Sequence, residues 1–135
     1  SSILSSILIY TQKISFYCMK RLTLSNGLEV IYKHLPGKTL TCEVMVKVGS
    51  NNEIEGERGI SHMIEHLLSE GTRKRPTGRA IANEIEIVGG EFNAYTTSVR
   101  TNYHIKLLSK DFKLAMDVLS DVLFHPLFLE KSFLR

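Results

Sequence analysis

His62, Glu65 and His66 are the residues of this 135-residue chain whose types and spacing could do chemistry. They spell H-x-x-E-H. At about 100° of rotation per residue, a helix through them gathers the three side chains within an arc of roughly 100°. Ser69 projects into the same arc, while Ile60, Met63, Ile64, Leu67 and Leu68 fall on the opposite, core-facing side. The polar face holds two imidazoles and a carboxylate with no Lys or Arg, unlike an ordinary solvated face. Two His at i and i+4 can bind one Zn²⁺ through neutral imidazole nitrogens. A Glu between them cannot easily reach the same ion from the same turn. It is placed instead to take a proton from a water that the metal acidifies. Five His and eleven Glu placed at random would spell the motif in roughly one or two chains per hundred. The surroundings must therefore decide.

Those surroundings read as a helix over Ile60 to Glu70, stopped by Gly71 as a left-handed cap. Upstream, Leu22 to Ser25 and Leu28 to Tyr32 flank Asn26-Gly27, a type I′ hairpin signal. Cys42, Val44, Val46 and Val48 alternate with Thr41, Glu43, Met45 and Lys47, which predicts a half-buried strand. Thr77 caps a second helix over Arg79 to Val88, ended by Gly89-Gly90. Strands follow at Phe92 to Thr97 and Tyr103 to Leu107, joined by a short turn. Asp111 caps a third helix whose apolar stripe is Phe112, Ala115, Met116, Leu119, Val122 and Leu123. Pro126 separates it from a further helix-like pattern that runs to Arg135. The fold class is α+β, an antiparallel-rich sheet packed against a layer of helices.

Composition is that of a globular domain, 43% hydrophobic and 23% charged, with formal charge +3. So small an excess does not argue for nucleic acid, and no apolar run reaches the roughly 18 to 20 residues of a membrane helix. Cys18 and Cys42 form no framework, so the expected setting is reducing: cytoplasmic, with the mitochondrial matrix as second choice. Residues 1–18 have no basic residue before Ile3, as a secretory signal would need, and no Arg, as a transit peptide would need, and read as a poorly packed leader or upstream segment. Residues 19–135 read as one domain, incomplete at its C-terminal end.

Several blocks, in order, resemble the pitrilysin/insulinase family of zinc metallopeptidases, the inverted zincins. They are Leu24 to Ile31, Val48 to Glu53, Gly59 to Leu68, Gly71-Thr72, Gly89 to Thr96, Thr101 with Tyr103, and Asp121 with His125 to Phe128. The resemblance implies that His62 and His66 are zinc ligands and that Glu65 is the general base. It makes Asn93, Ala94, Tyr95 and Thr96 part of an edge strand on which substrate lies, paired through backbone groups. It also implies a third ligand, a Glu roughly 76 residues past the second His, beyond Arg135, which fits a ligand from a separate element. Glu130 is too early for that spacing, so these 135 residues by themselves are expected to lack a complete site. The family often has Glu where this chain has Val99.

The implied function is a zinc-dependent endopeptidase acting on peptides or unstructured segments, closed into a chamber by a second homologous half or subunit. The alternative is a non-catalytic, peptide-binding homologue that pairs with an active subunit. Such relatives usually lose part of the motif, and here all three positions are present. A third reading is an unrelated α+β binding module with a chance motif. The remaining features read as ordinary surface or core. His34, His104 and His125 are solvated or structural, and Asp117 with Asp121 forms a polar helix face. Arg73-Lys74-Arg75 lies in a solvated loop, and Cys42 is a small buried residue.

Overall fold

The computed structural model describes residues 4–11 and 19–128. Strands β1 (Leu4–Thr11), β2 (Met19–Thr23), β3 (Glu29–His34) and β4 (Thr39–Val46) come first. Helices α1 (Ile60–Ser69) and α2 (Gly78–Glu86), strands β5 (Glu91–Thr96) and β6 (Thr101–Leu108), and helix α3 (Phe112–Phe124) follow. One six-stranded sheet runs in the order β2-β3-β1-β4-β6-β5. All its pairings are antiparallel except β1 with β3. The α+β class and the antiparallel-rich sheet hold.

The helices cover the half of the sheet formed by β4, β6 and β5. Alternation decides which side chains meet them. Leu40, Cys42 and Val44 of β4, with Tyr103, Ile105 and Leu107 of β6, face inward. They pack against Ile81 and Ile85 of α2, Val118, Leu119 and Val122 of α3, and Leu68 of α1. Burying each aliphatic side chain contributes about 1.5–3 kcal/mol, so this seam anchors all three helices. Cys42 lies in it as expected, and burial pushes its thiol up to about 11. Among the described residues no helix is long and apolar enough to cross a membrane.

Several local expectations change. Residues 1–18 read as a poorly packed leader, but Leu4–Thr11 pairs on both sides as β1, between β3 and β4. The β-branched Ile7, Ile9 and Thr11 suit a strand. The β2–β3 connection is not a type I′ turn, which needs positive φ at two residues. Only Gly27 has it, and the turn closes from Leu24 C=O to Gly27 N–H at 2.9 Å. Gly71 ends α1 without left-handed geometry. Its φ is 155°, and a Cβ there would lie 2.7 Å from Pro76 O, so the backbones touch where only glycine fits. Thr77 caps α2 as expected, accepting from Ala80 N–H at 3.1 Å. Asp111 precedes α3 but its side chain makes no capping bond. In α3, Val118 joins the core and Phe112 is 38% exposed, at the junction with the 3₁₀ turn through which the chain enters the helix. The pattern expected from Leu129 onward lies outside the described residues.

The basic loop is the largest correction. Arg75 is 3% exposed. Its guanidinium reaches Glu84 of α2 at 2.5 Å and Asp117 and Asp121 of α3 at 2.6 and 2.8 Å. Thr72 Oγ1 donates to the same Asp121 oxygen at 2.6 Å. The two aspartates are therefore not a merely solvated face. They hold the loop that leaves α1, and the chain leaving α3 is tied there too, with Leu127 N–H donating to Gly71 C=O at 3.0 Å.

Candidate metal centre

Helix α1 begins at Gly59, whose φ of 90° turns the chain into the helix and which has no side chain to cap it. The cap comes from Glu53, six residues upstream. Gly59 N–H donates to Glu53 Oε2 at 2.8 Å and Ser61 N–H to Oε1 at 3.0 Å. A carboxylate here satisfies two orphan amides and complements the helix dipole. These bonds, Gly59 first and Ser61 second, hold the Glu53 carboxyl below its usual range. Its loop is fastened in turn to the β5–β6 turn. Ser50 N–H donates to Thr97 C=O at 3.2 Å and Asn51 N–H to Ser98 C=O at 2.8 Å. At Gly49, just before them, a Cβ would lie 2.3 Å from Thr97 O.

Because the folded-state value is lowered, the Glu53 contribution is present above the ordinary 4.5 and lost as pH falls through the lowered value. Glu53→Gln is expected to lower the thermal midpoint at neutral pH, since the amide offers one acceptor where two are used. The gap from wild type should close in acid. A gap that does not depend on pH counts against this cap.

The motif residues divide differently from a simple two-faced wheel. Glu65 and Ser61 are buried with Leu67 and Leu68, whereas Met63 and Ile64 are 38% and 40% exposed. The reason is position: α1 packs on the face of β5, the strand at the border of the sheet, so its inward side meets the polar Thr96 there. Glu65 points there, and Thr96 Oγ1 donates to its Oε2 at 2.6 Å. Ile60, Ile64 and Leu68 instead line an apolar cavity of about 440 Å³ with Val46, Val48 and Leu123. None of the three motif side chains borders it.

His62 and His66 are exposed beside Glu65. Their Nε2 atoms are 3.0 Å apart, with the rings edge to face at 70°. Nitrogens sharing one tetrahedral zinc at 2.0–2.1 Å sit about 3.3 Å apart, so the pair already converges as that ion needs. The ligand atoms of His62, Glu65 and His66 all lie within 4.8 Å of one another. Among the described residues this is the one such group of three. Beneath it, Tyr103 is buried. Desolvation first, and the Glu65 charge second, hold its phenol above the usual range.

Asn93, Ala94, Tyr95 and Thr96 lie on β5, which among the described residues pairs with β6 alone and borders the sheet. The alternation of the ladder leaves the backbone groups of Phe92, Ala94 and Thr96 on the open side. Ala94 N–H there is bonded to the Asn93 side chain at 2.9 Å. The Tyr95 hydroxyl donates to Glu43 at 3.3 Å, and its ring meets His104. His104 and His125 do not join the metal group. The residue that reading the sequence missed is Glu53. Its only local signal was an acid shortly before a helix whose own cap position is glycine.

The model of the family described as Insulinase (Peptidase family M16) matches residues 29–135. The chain belongs to the insulinase family. It is 40% identical over 101 residues to the mitochondrial-processing peptidase subunit beta of Dictyostelium discoideum, covering 75% of this chain and 22% of that protein. It is 37% identical over 110 residues to an uncharacterized zinc protease of Rickettsia felis, covering 81% and 26%. It is also 41% identical over 99 residues to the human cytochrome b-c1 complex subunit 1, mitochondrial, covering 73% and 20%. Among solved structures, a protease from Helicobacter pylori superposes with a TM-score of 0.83 at 30% identity, covering 88% of this chain and 29% of that one. This insulinase-family chain therefore spans about a quarter of the length of the proteins it matches.

Proposed function

We propose that this chain is the N-terminal, metal-binding part of a zinc-dependent endopeptidase that hydrolyses peptides or unstructured segments. The observation that carries the reading is the convergence of His62 and His66 beside a buried, hydrogen-bonded Glu65 at the open border of a sheet. His62 and His66 would hold the zinc. The third ligand would be a carboxylate from beyond Arg135, as the family resemblance implies. When bound, zinc supplies the Lewis acidity that lets water act as a nucleophile at neutral pH. Glu65 accepts the proton released on attack and can return it to the leaving amine. Asn93 to Thr96 would hold the substrate as an added strand. Backbone pairing reads an extended chain with little regard to its sequence, which suits unstructured substrates. The mitochondrial and bacterial relatives fit a reducing compartment, cytoplasm or matrix.

The relative named as a subunit of the cytochrome b-c1 complex leaves room for a second reading, a non-catalytic homologue that binds peptide and pairs with an active subunit. In the protein extended past Arg135, about one zinc per chain is expected, with hydrolysis of an unstructured fluorogenic peptide abolished by chelation. His62→Ala or His66→Ala should each remove the zinc, because two ligands cannot hold a closed coordination sphere. Stoichiometric zinc in either variant would refute the ligand pair. Zinc-loaded wild type that binds the peptide without hydrolysing it would support the second reading instead.

A further inference from the structure

The bond that fixes Glu65 comes from the same strand that, in the peptidase reading, carries the substrate. Thr96 is the last residue of β5, and its side chain is on the strand face that meets α1, with Phe92 and Ala94. Its one hydroxyl proton goes to Glu65 Oε2 at 2.6 Å. Thr101 Oγ1 lies 3.4 Å from Thr96 Oγ1, but it sends its own proton to Val48 C=O at 2.9 Å. The Thr96 proton is therefore committed to Glu65. The Thr96 backbone meanwhile faces the open border, since the neighbouring Thr97 N–H points inward to Arg100 C=O at 2.8 Å.

We propose that Thr96 is the positioning residue for Glu65, tying the orientation of the base to the strand on which the peptide docks. This role rests on the peptidase reading. The last torsion of a glutamate is broad and roughly two-fold. A donor on Oε2 selects one orientation and leaves Oε1 to receive the proton. A peptide paired with the Thr96 backbone restrains the residue that carries that donor, so docking and alignment of the base occur together. Thr96 need not touch the reacting atoms for this.

Thr96→Val removes the hydroxyl, keeps the shape and suits a strand. In the extended, zinc-loaded protein it is expected to lower kcat by about 10- to 100-fold, the scale of a misplaced catalytic group. KM and zinc content should stay near wild type, and Thr96→Ser should recover most of the loss. Crystal structures of the metal-free proteins should show the Glu65 carboxylate turned in Thr96→Val and in place in Thr96→Ser. Wild-type kcat in Thr96→Val, or equal losses in both variants, overturns the proposal. If wild type itself cleaves no peptide, the peptidase reading and the catalytic part of this role fall together. The crystallographic comparison then decides whether Thr96 holds Glu65, and an unmoved carboxylate in Thr96→Val overturns that as well.

Discussion

Glu65→Gln is expected to leave zinc bound and to lower peptide hydrolysis by about 10² to 10⁴, the usual cost of losing a general base. On the proposed reading the two properties separate because they fall to different atoms. Metal retention would rest with the His62 and His66 nitrogens, which the substitution does not touch. Glutamine keeps the volume of a residue that is 7% exposed, and its carbonyl oxygen can still accept the Thr96 hydroxyl. What disappears is the oxygen that could take a proton. Zinc analysis and fluorogenic peptide turnover on the same preparation test this. Near-normal turnover in a loaded Glu65→Gln protein would refute the base. Loss of zinc with turnover would make Glu65 a ligand instead.

Legibility followed the range of the interaction. Helix α1 could be read because its signals are local: a 3.6-residue period and a glycine stop. So could β4, where alternation alone places Cys42 in the core, and the Thr77 cap, which acts over three residues. The partition of α1 was less clear. Met63 and Ile64 look like core residues on a wheel, yet Glu65 takes the inward place because the helix packs on the face of a border strand, a neighbour that a single helix does not encode. The order β2-β3-β1-β4-β6-β5 depends on pairings between distant segments. The border position of β5 was accordingly reached through the family resemblance and not through its own residues. Glu53 failed for the same reason: its targets lie six and eight residues away across an irregular loop.

Arg75 is the extreme case, and its removal should have the largest effect on stability. Read locally, Arg73-Lys74-Arg75 is a solvated basic run. Its partners Glu84, Asp117 and Asp121 are 9, 42 and 46 residues away, beyond any local pattern. Arg75→Met should destabilise the protein by about 3–5 kcal/mol, because breaking a buried ion pair strands the remaining charge. Most of that loss should fall on Asp121, which is 8% exposed and among the described residues keeps only the Thr72 hydroxyl and a 3.6 Å approach of His125. Asp117 is half exposed and keeps Lys74, so it should contribute little. The cluster also holds the loop after α1 to α3, so urea unfolding and protease sensitivity near Gly71 should change together. Asp121→Asn removes the stranded charge, and in the double variant the loss should be well below the sum of the single losses. A loss under about 1 kcal/mol for Arg75→Met, outside the cost expected for a buried pair, would show that the cluster is screened by water. Strict additivity would show that Arg75 and Asp121 act separately, and the clamp between α1 and α3 would then have to rest on the backbone bonds at Gly71 and Leu127.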